Sequence, residues 1–267
     1  MLRDLDLAEA SAAPAAPAVT DDTVAVWNAF YTAGGLTDWE LLPPKDLSAA
    51  VALVLSRGAR LRSAAEIGCG RGMRSLVAIL NNPTLNDATF SLVGIDHSSA
   101  AVYAAGGLAF AAARGAPLPE PFGALVDTAV AIRPRPLLCA DLRFEHADLF
   151  NWLSGHSERA FDLIVDWMCF HEVPPNMRGR YADLVARCCG QYFIVNTFSK
   201  EGSSVDDLGV VADGIIKYQL SQEDISDIFG EYFDIVEYYD VPEDLLPEVA
   251  PRDGIVAAKR TYILKRL

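Results

Sequence analysis

The segment EIGCGRG is the first part of the sequence whose residue types and spacing could bind a ligand. A carboxylate, Glu66, is followed by glycines at every second position, Gly68, Gly70 and Gly72. Such glycines after an apolar strand let a ligand lie against bare backbone. The dinucleotide fingerprint G-x-G-x-x-G/A fails, because its third glycine is replaced by Met73 in one register and by a serine in the other. The Gly-Lys-Ser/Thr sequence of a Walker loop is also missing, so neither a dinucleotide nor a nucleoside triphosphate is expected.

Four carboxylates are predicted to stand at the carboxyl ends of strands: Glu66, Asp96, Asp148 and Asp166. In an open parallel sheet the ligand crevice lies beyond these strand ends, so we expect the four to rim one cleft. Such a cleft would repel a pyrophosphate and would favour hydroxyl and amino donors, an ammonium group and a permanent cation. S-adenosylmethionine (SAM) offers all of these groups. The alternative interpretation is that Asp96 and Asp148 only cap the helices that follow them.

Short apolar segments alternate with helical patterns and supply the elements that must position these carboxylates. The predicted strands cover residues 63–67, 91–96, 142–150, 161–166 and 192–198. Strands that alternate with helices predict an α/β fold with a parallel sheet covered on both faces. After Ser199 the pattern changes to a capped helix, SQEDISDIFG, and two strands, FDIVEYYDV and KRTYILKR, which predict an antiparallel hairpin at one sheet edge.

The chain is predicted to form one domain behind a flexible tail. Residues 1–20 include the Ala/Pro-rich run SAAPAAPAV and are expected to be flexible, and residues 21–267 are expected to be the domain. Its predicted parts are an amino-terminal cap (21–60), a cofactor-binding core (61–200) and a carboxyl-terminal helix with a strand hairpin (201–267). The stretch 114–136 exceeds what one crossover needs and is interpreted either as a lid near the substrate or as a surface insertion.

Composition excludes several classes of protein. With 267 residues, 51% of them hydrophobic, the chain can form a large core, and its net charge of −14 argues against nucleic acid or an anionic membrane as the partner. No apolar run approaches the roughly 20 residues of a membrane span, and the acidic amino terminus does not resemble a secretory signal. Five cysteines without metal-ligand spacing predict reduced thiols, no metal site and a cytoplasmic location. The oligomeric state stays open between monomer and homodimer.

Four motifs in order, EIGCGRG, GID, HADLF and FDLIVD, resemble the successive cofactor motifs of class I SAM-dependent methyltransferases over about residues 63–199. The resemblance implies a Rossmann-like fold: a mostly parallel seven-stranded sheet with helices on both faces and an antiparallel edge strand. It implies that Asp96 binds the ribose hydroxyls, that Asp148 faces the adenine amino group, and that the glycine loop approaches the methionine and ribose portions. His97 and Leu149 are expected beside the cofactor as well.

A wider similarity, over most of residues 24–267, links the chain to the thiopurine methyltransferase family and its thiol and halide methyltransferase relatives. It is carried by VWNAFYTAGGLTDW, FDLIVDWMCFHEVPPNMRGRYADLVARC, QYFIVNTFSKEG and LSQEDISDIFGEYF. The chain departs from the thiopurine enzymes in its IGCGRG loop and in Trp167, which stands where they have an arginine. The phrase CFHEVPP equally resembles a loop of small-molecule O- and N-methyltransferases.

His171, in the loop after the fourth strand, is the candidate general base, because its ordinary pKa of about 6.5 suits that role and the loop is expected to face the cofactor's methyl group. The alternative is a structural histidine. Asp166 is assigned to the same catalytic region, whereas Glu172 is interpreted as a solvated charge at the entry of a helix. Five aromatic residues are available to shield the sulfonium and an acceptor, with Trp39 and Trp167 favoured because both lie in loops expected at the crevice mouth: Trp27, Phe30, Tyr31, Trp39 and Trp167.

These observations predict SAM-dependent methyl transfer to a small-molecule acceptor, with sulfur favoured. A thiol ionises readily, with a reference pKa for cysteine of about 8.5, and needs no strong base. The alternatives are O- or N-methylation of a small molecule or a peptide, and a catalytically silent SAM-binding subunit of a partner protein.

Overall fold

Seven strands pair into one sheet in the part of the chain that the computed structural model describes, which is residues 21–35, 45–116, 118, 137–139, 141–203, 210–212, 215–240 and 258–267. In chain order the strands are β1 Ser63–Ile67, β2 Ser91–Asp96, β3 Asp141–His146, β4 Phe161–Trp167, β5 Cys189–Phe198, β6 Val210–Ala212, β7 Ile215–Lys217, β8 Phe233–Asp240 and β9 Lys259–Arg266. The large sheet has the order β3-β2-β1-β4-β5-β9-β8, and β6 pairs with β7 in a separate small sheet.

Helices cover both faces of the sheet, as predicted. They are α1 Asp21–Thr32, α2 Lys45–Ser56, α3 Met73–Asn81, α4 Ser99–Ala113, α5 Leu149–Gly155, α6 Arg178–Cys188 and α7 Gln222–Phe229, and two 3₁₀ turns, Phe170–Glu172 and Pro175–Met177, lie between β4 and α6. One apolar core joins α5, α6 and α7 to the sheet, and a second joins α2 and α3 to the opposite face. A third cluster packs α4 against α3.

The strands β1 to β5 are parallel, so their carboxyl ends meet at one edge. The predicted hairpin of β8 and β9 is confirmed at the side of the sheet. Within it β9 pairs antiparallel with both β5 and β8, so β9 lies just inside the edge and β8 forms the edge itself. The small β6–β7 sheet was not predicted, because three-residue strands carry little periodicity.

One predicted strand boundary is wrong. The segment 142–150 does not form a single strand, because β3 ends at His146 and α5 begins at Leu149. Asp148 is the N-cap of that helix, and its Oδ1 accepts a hydrogen bond of 2.8 Å from the backbone N–H of Asn151. A capping aspartate satisfies one of the free N–H groups of the first turn and so ends the strand before it.

Some predictions concern residues outside the described ranges: the tail 1–20, Trp39 and most of the stretch 114–136. None of the helices in the described part of the chain has the length and apolar character needed to cross a lipid bilayer.

Phe144 of β3 lies across two glycines and packs the glycine loop against the sheet. A Cβ atom on Gly94, its partner in β2, would stand 2.6 Å from Phe144 Cδ1, and one on Gly72, where α3 begins, would stand 2.2 Å from Phe144 Cε1. Gly72 also has a φ of 67°, in the left-handed region. These glycines therefore make room for the phenyl ring, and a glycine inside a strand marks such a close approach.

We expect Gly94→Ala to lower the free energy of unfolding by about 1–3 kcal/mol, the usual cost of overpacking. In a Phe144→Leu background the same substitution should cost clearly less, because the ring that it meets is gone. Chemical denaturation of the four proteins of this double-mutant cycle measures the coupling. Gly107→Ala is the control: its Cβ meets nothing within 4 Å in the exposed middle of α4, so it should stabilise the protein by up to about 1 kcal/mol. Equal costs of Gly94→Ala in the two backgrounds would contradict this account.

Candidate functional site

A cavity opens at the edge where the parallel strands end, with α1 forming one wall. Four groups of residues line it: Thr23, Val24, Trp27 and Tyr31 from α1; Gly68, Ile95, Asp96 and His97 from the ends of β1 and β2; Ala147 and Leu149 at the start of α5; and Trp167, Met168, Cys169, Glu172 and Val173 from the end of β4 and the turn after it. The cavity lies where ligands bind in open parallel sheets.

The three loop glycines all have a positive φ, but they serve different contacts. Gly68 lines the cavity, and a Cβ there would stand 2.6 Å from the Cβ of Cys169. Gly70 donates its backbone N–H to Asp96 Oδ2 over 2.8 Å. Gly72 faces Phe144 and is not part of the cavity wall. Of the three glycines predicted to contact the cofactor, Gly68 is the one that lines the cavity.

Of the four acids predicted at strand ends, Asp96 is the one that lines the cavity. Its Oδ1 accepts the N–H of Ser98 over 2.7 Å, and its Oδ2 accepts the N–H of Gly70 over 2.8 Å. Burial raises the pKa of this carboxyl group, and the two backbone donors oppose that rise. A carboxylate has about four acceptor positions, so each oxygen keeps capacity for one further donor. The geometry suits two neighbouring hydroxyl groups.

The prediction that four carboxylates rim the cleft is wrong, because the other three do not line the cavity. Glu66 is buried beside α3; burial raises its pKa to about 8, although a hydrogen bond with Ser75 acts in the opposite direction. Asp148 caps α5, as the alternative interpretation expected, and its Oδ2 lies 3.7 Å from His97 Nε2.

Asp166 is fully buried and shapes the turn that follows β4. Its Oδ1 accepts the backbone N–H groups of Cys169 and Phe170, each over 2.9 Å, and its Oδ2 accepts the hydroxyl of Tyr181 over 2.5 Å. Burial raises its pKa to about 6. A catalytic role was predicted, but the carboxylate turns away from the cavity and acts as a positioning residue for the turn.

The structure places Glu172, and not His171, at the cavity. The imidazole of His171 is fully buried outside the cavity wall, packs against Phe198 with ring centroids 4.8 Å apart, and is neutral because burial lowers its pKa well below its ordinary value. Glu172 lines the cavity, and its side chain is only 18% exposed. Trp27 Nε1 donates to its Oε2 over 3.4 Å, and burial raises its pKa to about 7.

The sequence could not separate these two neighbours. In a 3₁₀ turn successive side chains point about 120° apart, so a difference of one position decides which of them faces the cavity. The interpretation of Glu172 as a solvated charge is therefore wrong. The contact with Trp27, from a helix 145 positions away along the chain, is tertiary and leaves no local pattern.

Three residues of the predicted aromatic set line the cavity: Trp27, Tyr31 and Trp167. Trp167 is the last residue of β4, and the guanidinium of Arg74 lies 5.0 Å from its ring centroid. Tyr31 lies one helical turn from Trp27, with ring centroids 6.0 Å apart. Phe30, also of this set, packs against both rings but is not among the residues that line the cavity.

Comparisons with known proteins bear on the fold. No family model and no curated protein sequence matches the chain. One similar solved structure is magnesium protoporphyrin IX methyltransferase from Synechocystis PCC 6803 with bound SAM. The two sequences are 16% identical, the match covers 94% of this chain and 100% of that chain, and the TM-score is 0.55. The 1,6-didemethyltoxoflavin-N1-methyltransferase of Burkholderia thailandensis, with bound 1,6-didemethyltoxoflavin and S-adenosylhomocysteine (SAH), has 15% identity, coverages of 94% and 92%, and a TM-score of 0.56.

A third similar structure comes from work on the conversion of a disulfide bond into a thioacetal group during echinomycin biosynthesis. It has 22% identity, coverages of 91% and 92%, and a TM-score of 0.53. Identities this low carry the fold alone. The sheet order, the helices on both faces and these similarities agree: the chain has the Rossmann-like fold of class I SAM-dependent methyltransferases.

Proposed function

We propose that this protein is an enzyme that transfers the methyl group of SAM to a small-molecule acceptor. The observation that carries the proposal is the carboxylate of Asp96, held by two backbone N–H groups in the wall of a cavity at the carboxyl ends of the parallel strands. The methyltransferases of similar fold that contain SAM or SAH support the choice of cofactor.

The residues of the cavity fit the parts of SAM. The two free acceptor positions of Asp96 suit the ribose diol, while His97 and Leu149 lie beside the expected adenine edge. Asp148 then supports the adenine end through the cap of α5 and through His97. The backbone at Gly68 faces the cavity, where the methionine portion is expected, and the rings of Trp27, Tyr31 and Trp167 suit a sulfonium cation.

When bound, SAM supplies a methyl group that its sulfonium activates for displacement by a lone pair of the acceptor. The protein then has to position the acceptor, exclude water and remove a proton where the acceptor carries one. Glu172 is the base we propose, because it lines the cavity and has a pKa of about 7. Its carboxylate takes the acceptor's proton while the acceptor atom gains the methyl group. His171 does not line the cavity and is therefore not proposed for this role.

We further propose that the accepting atom is the sulfur of a thiol. The resemblance to thiopurine and thiol methyltransferases supports sulfur, and one protein of similar fold belongs to a conversion of a disulfide into a thioacetal. The competing assignment for the accepting atom is nitrogen, because the toxoflavin enzyme of similar fold is named for methyl transfer to N1. A base of pKa about 7 suits a thiol of pKa about 8.5, since the proton transfer is nearly balanced.

The ribose assignment predicts that Asp96→Asn weakens SAH binding by at least about tenfold, because hydrogen bonds to a charged acceptor are each worth about 1.5–3 kcal/mol. Titration calorimetry measures the dissociation constant. The matched control is Asp234→Asn, an exposed position at the start of β8, far along the strand from the cavity edge, which should bind SAH like the unmodified protein. Undiminished affinity in Asp96→Asn would remove the ribose assignment, and failure of the unmodified protein to bind SAH would remove the proposed function.

The base and the sulfur acceptor are tested together by Glu172→Gln. The ionised carboxylate is the active form, so the rate of the unmodified protein should rise as pH increases through about 7. With an alkyl thiol we expect the variant to lose about 10²-fold near pH 7 and clearly less near pH 9.5, because a larger share of the acceptor is then ionised without a base.

Methyl transfer to 2-mercaptoethanol and 3-mercaptopropionate is followed against pH, with Glu158→Gln, an exposed glutamate just before β4, as the control. Thiols that stay inert with the unmodified protein would overturn the sulfur assignment and favour oxygen or nitrogen. A loss that is constant across this pH range would contradict proton removal by Glu172. Unchanged rates in Glu172→Gln at every pH would overturn its role as the base.

A further inference from the structure

Met168, the first residue after β4, has a backbone conformation that residues with a Cβ rarely adopt. Its φ is 68°, in the left-handed region that favours glycine. The side chain is buried and lines the cavity. A strained conformation of this kind persists only where the surrounding structure holds it, and residues of this kind are concentrated at functional sites. The groups that hold Met168 in place therefore bear on the proposed chemistry.

Hydrogen bonds on both sides of Met168 hold this reversal of the chain. Its own N–H donates to the backbone oxygen of Asn196 in β5 over 3.0 Å. The two N–H groups that follow, from Cys169 and Phe170, both donate to Oδ1 of Asp166 over 2.9 Å. The side chain of Asp166 therefore reaches past Met168 and closes the turn by bonding to the two residues beyond it.

Tyr181 of α6 binds the other oxygen of this carboxylate. Its hydroxyl donates to Asp166 Oδ2 over 2.5 Å, and the whole side chain is buried. Its ring packs beside the rings of Phe170 and Phe229, with centroids 5.0 Å and 6.3 Å away, in the apolar core that joins α6 to the sheet. Burial raises the pKa of the hydroxyl well above its ordinary value, so the group stays a donor. Packing requires only the ring, whereas the bond to Asp166 requires the hydroxyl.

The turn closed in this way carries three further residues that line the cavity: Cys169, Glu172 and Val173. The N–H of Glu172 donates to the backbone oxygen of Cys169 over 2.9 Å, so the place of the proposed base depends on the residue that follows Met168. Cys169 lies against the glycine loop, because a Cβ on Gly68 would stand 2.6 Å from its own Cβ. A change of backbone at Met168 would therefore move the base relative to the cofactor expected beside Gly68. Methyl transfer requires reacting atoms to be held about 3–3.5 Å apart and aligned.

We propose that Tyr181, which does not line the cavity, is a positioning residue for methyl transfer. Its hydrogen bond to Asp166 holds Met168 in the left-handed conformation, and that conformation directs Glu172 to the acceptor. The inference rests on the proposed function and extends it to a residue of α6. One side chain then has two separable roles, because the ring stabilises the core and the hydroxyl sets the rate of the reaction.

The first test is Tyr181→Phe, which removes the hydroxyl and keeps the ring. With 2-mercaptoethanol as the acceptor near pH 7, we expect kcat to fall by at least about tenfold, because the base is no longer aligned. KM and the dissociation constant of SAH should change by less than about threefold, since the hydroxyl acts on the reaction and not on binding. Steady-state kinetics and titration calorimetry measure these quantities.

The decisive comparison repeats the substitution in a Met168→Gly background. Glycine adopts a positive φ without the cost that a Cβ brings, so the turn then needs less support from Tyr181. Met168→Gly alone should lower activity, because Met168 lines the cavity, but adding Tyr181→Phe should lower kcat by less than about threefold more. Met168→Asn should give the same result without the flexibility of glycine, because asparagine is enriched in the left-handed region.

Tyr192→Phe is the matched control and should leave kcat unchanged. Tyr192 is a buried tyrosine of β5 that pairs with Leu163 near the start of β4, at the end of the strand away from the turn. Hydrogen exchange gives a readout that needs no turnover. Compared with the amides of β5, which report whether the variant is folded, the amides of Cys169 and Phe170 should exchange at least about tenfold faster in Tyr181→Phe than in the control.

Asp166→Asn is the second variant, for the case that Tyr181→Phe does not fold. It changes the same hydrogen bond from the other side, because its amide nitrogen donates where the carboxylate oxygen accepts. It should lower kcat more in the unmodified background than in the Met168→Gly background. An equal loss in the two backgrounds would contradict the proposal.

The results separate the two proposals. If SAH binds and Tyr181→Phe keeps kcat within about threefold of the unmodified protein, the positioning role is overturned while the proposed function stands. The same holds if the loss is as large in the Met168→Gly background, which would indicate an effect of core packing, or if the Cys169 and Phe170 amides exchange no faster. If the unmodified protein binds no SAH, the proposed function fails and the positioning role fails with it.

Discussion

One hydrogen bond, from the backbone N–H of Gly70 to the carboxylate of Asp96, joins the loop after β1 to the end of β2 and holds the cavity in shape. The bond requires a loop that folds back over the sheet edge, and Gly68, Gly70 and Gly72 allow this with φ values of 64°, 52° and 67°. Residues with a Cβ rarely adopt that conformation. Phe144 then fills the space beside Gly72, so packing in the sheet and the position of the ligand-facing carboxylate depend on the same turn.

Two buried carboxylates, Glu66 and Asp166, lie near this cavity without lining it. Asp166 accepts three hydrogen bonds and fixes the turn that presents Glu172, while Glu66 lies under the glycine loop with its pKa raised to about 8. A carboxyl group whose folded-state pKa is raised above its unfolded value weakens the folded state as pH increases between the two values. For Glu66 this interval runs from 4.5 to about 8, so its burial is most costly at the alkaline end. Glu66 is not among the residues that line the cavity.

The site is assembled from two parts of different origin. The side that we propose for the cofactor comes from the ends of β1, β2 and β4, elements that belong to the shared fold. The side that we propose for the acceptor comes from α1 and the 3₁₀ turn after β4, which meet from distant parts of the chain. Many chemistries occur on one fold because its loops and additions vary while the core is kept. The proposed acceptor is therefore argued from Glu172 and its surroundings, and the fold contributes only the place where these residues meet.

Local patterns in the sequence determined the strands, the glycine loop and the place of Asp96 at the end of β2, because these depend on hydrophobic periodicity or on backbone conformations that only glycine adopts readily. The same patterns predicted that four acids at strand ends rim one cleft. An acid that follows an apolar run has the same local sequence whichever group its carboxylate contacts. Tertiary structure decided that Asp166 faces Tyr181, that Asp148 caps a helix, and that Glu172 rather than His171 reaches the cavity. The direction of a side chain at a strand end or in a 3₁₀ turn is set by neighbours far along the chain, and no spacing of residues encodes it.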